Sequence, residues 1–98
     1  MNKSELISAV AATARLTKAD ATRAVDAVIT TITNELATGG NVALIGFGRF
    51  EARLRTERQG RNPATGEEIT IPAAYVPRFK AGSQLKELVA EVPVPAEN

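Results

Sequence analysis

Apolar residues first recur at helical spacing, with Leu6, Ile7, Val10 and Ala14 falling on one side of a helix that Asn2 and Glu5 would open as a capping box. This predicts a helix over roughly residues 3–14. A second start follows at Leu16-Thr17, where Thr17 suits the N-cap, Asp20 the third helical position, and Leu16 is placed to staple onto Ala21. The stripe Ala21, Val25, Val28, Ile29, Ile32 and Leu36 then runs for about twenty residues to a stop at Gly39-Gly40. Threonines along this helix lower its intrinsic propensity by a few tenths of a kcal/mol each. Packing of the apolar stripe must therefore carry it, which asks for a partner surface.

Beyond Gly40 the period changes from helical to alternating. Asn41 to Ile45 reads as a strand with Val42 and Leu44 on one face, and Gly46-Phe47-Gly48 as a tight turn. Arg49 to Thr56 continues with Phe50, Ala52 and Leu54 on one face and Arg49, Glu51, Arg53 and Arg55 on the other. Asn62-Pro63-Ala64-Thr65-Gly66 is a dense cluster of turn-formers between two alternating stretches, Arg53-Leu54-Arg55 and Ile69-Thr70-Ile71, and so predicts a hairpin. Thr70 to Val76 returns as a third strand that Pro77 ends. Gly82-Ser83 opens a last helix whose Leu85, Leu88 and Val89 face inward. The order of two helices, three strands and one helix is α+β.

The net charge of +1 conceals an uneven distribution. Residues 1–48 carry four basic and four acidic groups, residues 49–86 eight and four, and residues 87–98 none and three. The excess sits on the hairpin and its flanks, where Arg53, Arg55, Arg58 and Arg61 crowd the ascending limb. A two-stranded ribbon is marginal alone in water, and guanidinium groups suit a phosphate backbone, so a nucleic acid is the simplest cover for it. With 98 residues the chain makes one small domain, and about twenty of them are spent on this polar arm. The Val, Leu, Ile and Phe outside the arm are then best used in a core completed by two chains.

Cysteine and histidine are both absent, which removes disulfides, thiolate metal sites, thiol nucleophiles and imidazole bases. No Walker motif is present, and Gly46-Phe47-Gly48 lacks the following helix N-terminus of a phosphate loop. Catalysis, metals and cofactors are not expected. No apolar run approaches the roughly 20 residues of a membrane span, and MNKSELISAV is too polar for a signal peptide, so a cytoplasmic protein is the expectation.

Three runs, Gly46-Phe47-Gly48-Arg49-Phe50, Gly60-Arg61-Asn62-Pro63-Ala64-Thr65-Gly66 and Pro77-Arg78-Phe79-Lys80-Ala81-Gly82, resemble the HU family of small bacterial DNA-binding proteins. The resemblance covers about residues 1–90. It implies an intertwined homodimer with a helical base and a three-stranded antiparallel sheet extended into long β-ribbon arms, here about residues 55–74. Residues 91–98, EVPVPAEN, extend past the usual family pattern and read as a disordered acidic, proline-containing tail.

A proline between Asn62 and Ala64 is ordinarily turn punctuation. The resemblance instead makes Pro63 the wedge that enters a base step from the minor groove, a mode for which HU and integration host factor are general examples. Arg53, Arg55 and Arg58 then follow phosphates, Arg61 enters the groove, and Asn62 meets its acceptors. Lys3, Lys80 and Lys86 become phosphate contacts on the body, although each alone reads as a solvated charge. Phe47, Phe50 and Phe79, with Val28, Ile32 and Leu44, are expected in the dimer core rather than as base-stacking platforms. Glu67 and Glu68 put negative charge just past the tip and should weaken non-specific affinity.

The resemblance implies a nucleoid-associated protein that bends and compacts double-stranded DNA with little sequence preference, favouring kinked, nicked or gapped duplexes. A site-specific bender like integration host factor is the nearer alternative. A protein-interaction module that does not touch DNA is the alternative from another class. Pairing with a paralogue and RNA binding stay open.

Overall fold

Asn2 and Glu5 close the capping box reciprocally: the Glu5 N–H donates to Asn2 Oδ1 at 2.9 Å and the Asn2 N–H to Glu5 Oε1 at 3.2 Å. In the computed structural model, which describes residues 1–96, helix α1 accordingly spans Lys3–Ala14. It ends at Arg15, a non-glycine residue in the left-handed region with φ of 56°. Thr17 Oγ1 accepts from the Asp20 N–H at 3.1 Å and opens α2, Lys18–Ala37. Gly39, with φ of 82°, closes α2, and the Gly40 N–H donates to Glu35 O at 3.0 Å while the Gly39 N–H donates to Leu36 O at 2.9 Å. This pair of bonds is a Schellman motif and satisfies carbonyls that the helix end would otherwise orphan.

The chain divides into two compact units, Met1–Asn34 and Glu35–Asn98. In the first, Ile7, Ala21 and Val25 are buried, with Val10 and Ala11 packed against them. The stripe of α2 is thus only partly used, since Val28 and Ile29 stay exposed.

In the second unit, β1 (Asn41–Leu44), β2 (Gly48–Arg55) and β5 (Ala74–Ala81) form an antiparallel sheet in the order β1-β2-β5. β3 (Arg58–Arg61) and β4 (Glu68–Ile71) form a separate two-stranded ribbon. Arg55 pairs with Ala74 and Arg58 with Ile71, three residues on along each strand, so one register carries from sheet to ribbon. The ladder lapses between them where Pro72 has no N–H to give. The expected arm at about residues 55–74 is therefore an extension of the sheet hairpin with a break at its root.

The third strand lies further along than predicted, at Ala74–Ala81 rather than from Thr70 to Val76, and Pro77 does not end it. Pro77 pairs with Ala52 inside β5, which is an edge strand, and an edge tolerates a residue without a donor when it faces away from the ladder. Gly48 is buried, and a side chain there would collide with the Phe79 ring and the Lys80 carbonyl, so the turn into β2 requires glycine.

Gly82 caps α3, Ser83–Ala90, as expected. Its apolar side is not covered, however: Leu88 is 66% and Val89 60% exposed, against the expectation that both face inward, and Leu85 is half-buried. The helix is amphipathic, but the described chain supplies no surface to match that face. Residues 91–96 form no helix or strand and are exposed, while residues 97 and 98 of the expected tail lie outside the described residues.

Candidate nucleic-acid interface

Residues paired directly across antiparallel strands share a face. Arg49 pairs with Lys80, Glu51 with Arg78, Arg53 with Val76 and Arg55 with Ala74, which gathers five cations and one carboxylate on one side of the sheet. The opposite side carries Phe50, Ala52 and Leu54 paired with Phe79, Pro77 and Tyr75, and is apolar. Arg53 and Arg55 thus share a face as the alternation required, and Lys80 joins them. Sequence reasoning placed Arg49 on this face by alternation but named neither Arg49 nor Arg78 as a DNA contact. The two-residue spacing of Arg78 from Lys80 was the available signal, but only the pairing with β2 aligns the two strands.

Within the ribbon the register is Arg58 with Ile71, Gln59 with Thr70, Gly60 with Ile69 and Arg61 with Glu68. Arg58 therefore lies on the face of Ile69 and Ile71, and Arg61 on the other face with Gln59, Thr70 and Glu68. Arg55 Nη2 donates to Pro72 O at 3.4 Å, a contact across the root of the arm.

The tip is held by its own polar groups. The Gly66 N–H donates to Asn62 O at 2.7 Å, the Asn62 N–H to Glu67 O at 2.9 Å, and the Ala64 N–H to Asn62 Oδ1 at 2.9 Å. The last is an Asx turn, which fixes the backbone on either side of Pro63. It also occupies the Asn62 acceptor, and no hydrogen bond among the described residues engages the Asn62 amide nitrogen. Pro63 is exposed at the summit. Arg61 Nη1 donates to Gly66 O at 3.0 Å, and its Nη2 lies 3.8 Å from Glu68 Oε1.

The remaining candidates are dispersed. Lys3 Nζ lies 2.7 Å from Asp26 Oδ1 in an exposed ion pair within the helical unit, and Lys86 is exposed on α3. Phe50 and Phe79 have ring centroids 4.8 Å apart, and Phe47 and Phe79 5.6 Å, so the three rings form one tilted cluster on the apolar side of the sheet. Phe79 is still 42% exposed and Leu44 43%. In the helical unit Val28 is 58% exposed and Ile32 half-buried. Among the described residues no group of three His, Cys, Asp or Glu side chains could hold a metal ion, and no helix is long and apolar enough to cross a membrane.

The family model described as bacterial DNA-binding protein matches residues 1–90. The chain is 59% identical to DNA-binding protein HU 1 of Bacillus subtilis over 90 residues, which is 92% of this chain and 98% of that protein. It is 61% identical to DNA-binding protein HU of Geobacillus stearothermophilus over 89 residues, covering 91% of this chain and 99% of the relative. Its fold superposes on the HU–DNA cocrystal structure from Anabaena with a TM-score of 0.89 at 47% identity, covering 93% of this chain and 99% of that one. A strong match along three whole chains and a family model, with the arm, its tip and the α+β order all included, leaves one assignment: the chain belongs to the HU family of bacterial DNA-binding proteins.

Proposed function

We propose that this protein is a histone-like architectural protein that binds, bends and compacts double-stranded DNA with little sequence preference, through two β-arms that each insert Pro63 from the minor groove. The observation that carries the proposal is the tip, where Pro63 stands exposed on a loop braced by the hydrogen bonds of Asn62. A wedge works only if it does not fold back when pushed, and a proline offers a rigid apolar edge with no N–H to desolvate. Unstacking a step costs a few kcal/mol, which the cations on the sheet and arm offset by neutralising phosphates along the bent duplex. HU of Anabaena has been crystallised with DNA, which supports the same ligand class here.

The working form is a homodimer, intertwined through a helical base. Ile7, Ala21 and Val25 are the only buried hydrophobic side chains among the described residues, too few to offset the conformational entropy of a folded chain of this length. Val28 and Ile29 on the helices, and Phe47 and Phe79 on the sheet, are the surfaces a second copy would cover. Residues 1–90 act as one DNA-binding domain, located with the nucleoid in the cytoplasm. Arg53, Arg55, Lys80 and Lys86 contact phosphates from the sheet face and α3, Arg49 and Arg78 extend that track, and on the helical unit Lys3 exchanges Asp26 for a phosphate. No step of this activity needs a catalytic group or a cofactor.

The test is a titration on an intact and a centrally gapped duplex of identical sequence at several salt concentrations. The gapped duplex should bind tighter, because part of a bending cost of about 1–6 kcal/mol is already met, and both affinities should fall steeply with salt. Absence of binding to either duplex at low salt would overturn the proposal in favour of a protein partner on the helices. Equal affinity for both would remove the bending step.

Pro63→Ala should retain most of the affinity, since no charge is lost, but reduce the enhancement of ring closure on a short duplex several-fold. An unchanged ring-closure rate would mean that Pro63 is only turn punctuation.

A further inference from the structure

We propose that Glu68 is a built-in competitor for Arg61: its carboxylate stands against the guanidinium in the free protein, and a DNA phosphate must displace it when the arm engages. The inference rests on the DNA-binding proposal and concerns how its arm tip is tuned.

Arg61 and Glu68 are the last pair of the ribbon, directly opposite one another and on the same face. Arg61 Nη2 and Glu68 Oε1 are 3.8 Å apart, while Nη1 donates to Gly66 O at 3.0 Å. The guanidinium is therefore already oriented on the loop that carries Pro63, with a carboxylate where a phosphate oxygen would go. Both side chains are about 70% exposed, at 70% and 72%, so the pair is screened and readily exchanged. A phosphate that engages Arg through two parallel hydrogen bonds outcompetes one carboxylate oxygen at this distance. After the exchange Glu68 is left beside the DNA backbone without its cation. That residual repulsion makes Glu68 a determinant of affinity and of salt sensitivity.

Glu67 supplies an internal control. It is next in sequence and carries the same charge, yet no ion pair among the described residues involves it. Its backbone is committed to the loop, with its N–H donating to Thr65 Oγ1 at 3.3 Å and its carbonyl accepting from Asn62. General repulsion of phosphate should be shared by both acids, whereas competition for Arg61 belongs to Glu68 alone.

The experiment measures duplex binding by the full chain and by the Glu68→Gln, Glu67→Gln, Arg61→Ala and Arg61→Ala/Glu68→Gln variants across a salt series. Glu68→Gln should bind about two- to fivefold tighter than the unmodified protein at moderate salt, the range that an exposed ion pair permits. Its logarithmic salt slope should steepen by up to about one unit per arm, because no stranded carboxylate recruits a cation on binding. Glu67→Gln should gain less. In the Arg61→Ala background the gain from Glu68→Gln should shrink to that of Glu67→Gln, which is the non-additivity a direct pair requires. Equal gains from the two glutamines, or a Glu68→Gln gain that survives loss of Arg61, would overturn the inference while leaving DNA binding intact. Failure of the unmodified protein to bind duplex at low salt would overturn the DNA proposal and this inference together.

Discussion

Val28→Asp should lower the melting temperature by roughly 12–24 °C and abolish the dimer in sedimentation at micromolar concentration, although Val28 lies on the outside of the single chain. At 58% exposure, a polar replacement on a monomer's surface would be worth within about 0.5 kcal/mol. The expectation differs because Val28 borders an open apolar groove with Leu6, Val10, Ala24, Val25 and Ile29 on α1 and α2. If a second copy fills that groove, the new carboxylate is buried in apolar surroundings without a partner, at a cost of about 3 kcal/mol or more. A domain of this size shifts by about 4–8 °C per kcal/mol, which gives the stated range. Thr30→Asp, on the same helix but off the apolar stripe, should change neither quantity appreciably. The melting temperature of the unmodified protein should rise with its concentration, as mass action requires of a folding unit that is a dimer. A Val28→Asp protein that melts normally, together with a concentration-independent transition, would mean that one chain is stable with its apolar faces open.

The two long helices were legible because their ends are settled locally. Asn2 with Glu5, Thr17 with Asp20, and Gly39-Gly40 each satisfy terminal groups within a few residues, so sequence order alone places them. The third strand was misplaced because the tolerance of Pro77 depends on β5 being an edge strand, and edge position is a property of the sheet rather than of the run of residues. The inward face of α3 was predicted from its pattern, but pattern fixes which side is apolar and not what covers it. At the site, the arginines and Pro63 could be picked out by residue type, while their grouping could not. Arg78 joined the basic face only through its partner Glu51, and Arg61, which alternation already puts on the face away from Arg58, was seen to meet a carboxylate only once the register set it opposite Glu68. Register across a six-residue loop follows from the hydrogen bonds of Asn62, which composition does not reveal.

The double replacement Arg58→Ala/Arg61→Ala should weaken duplex binding by about 100-fold or more at moderate salt, since charge-assisted contacts contribute about 1.5–3 kcal/mol each where they are made. Both side chains are exposed, and their loss should leave the circular dichroism spectrum and melting temperature nearly unchanged. The salt series distinguishes lost phosphate contacts from a damaged arm. With two cations missing from each of two arms, the logarithmic slope should become shallower by about two to four units, at about 0.9 per phosphate contact. Because the pair occupies both faces of the ribbon, the single variants separate two roles. Arg58 shares its face with Ile69 and Ile71 and has no acidic partner opposite it, so Arg58→Ala should show the full affinity loss of one contact per arm. Arg61→Ala should lose less, because removing that cation also ends the cost of displacing Glu68. An unchanged affinity in the double variant would mean that the arm does not carry DNA binding, and its cations would then be solvating charges on a ribbon whose partner is a protein.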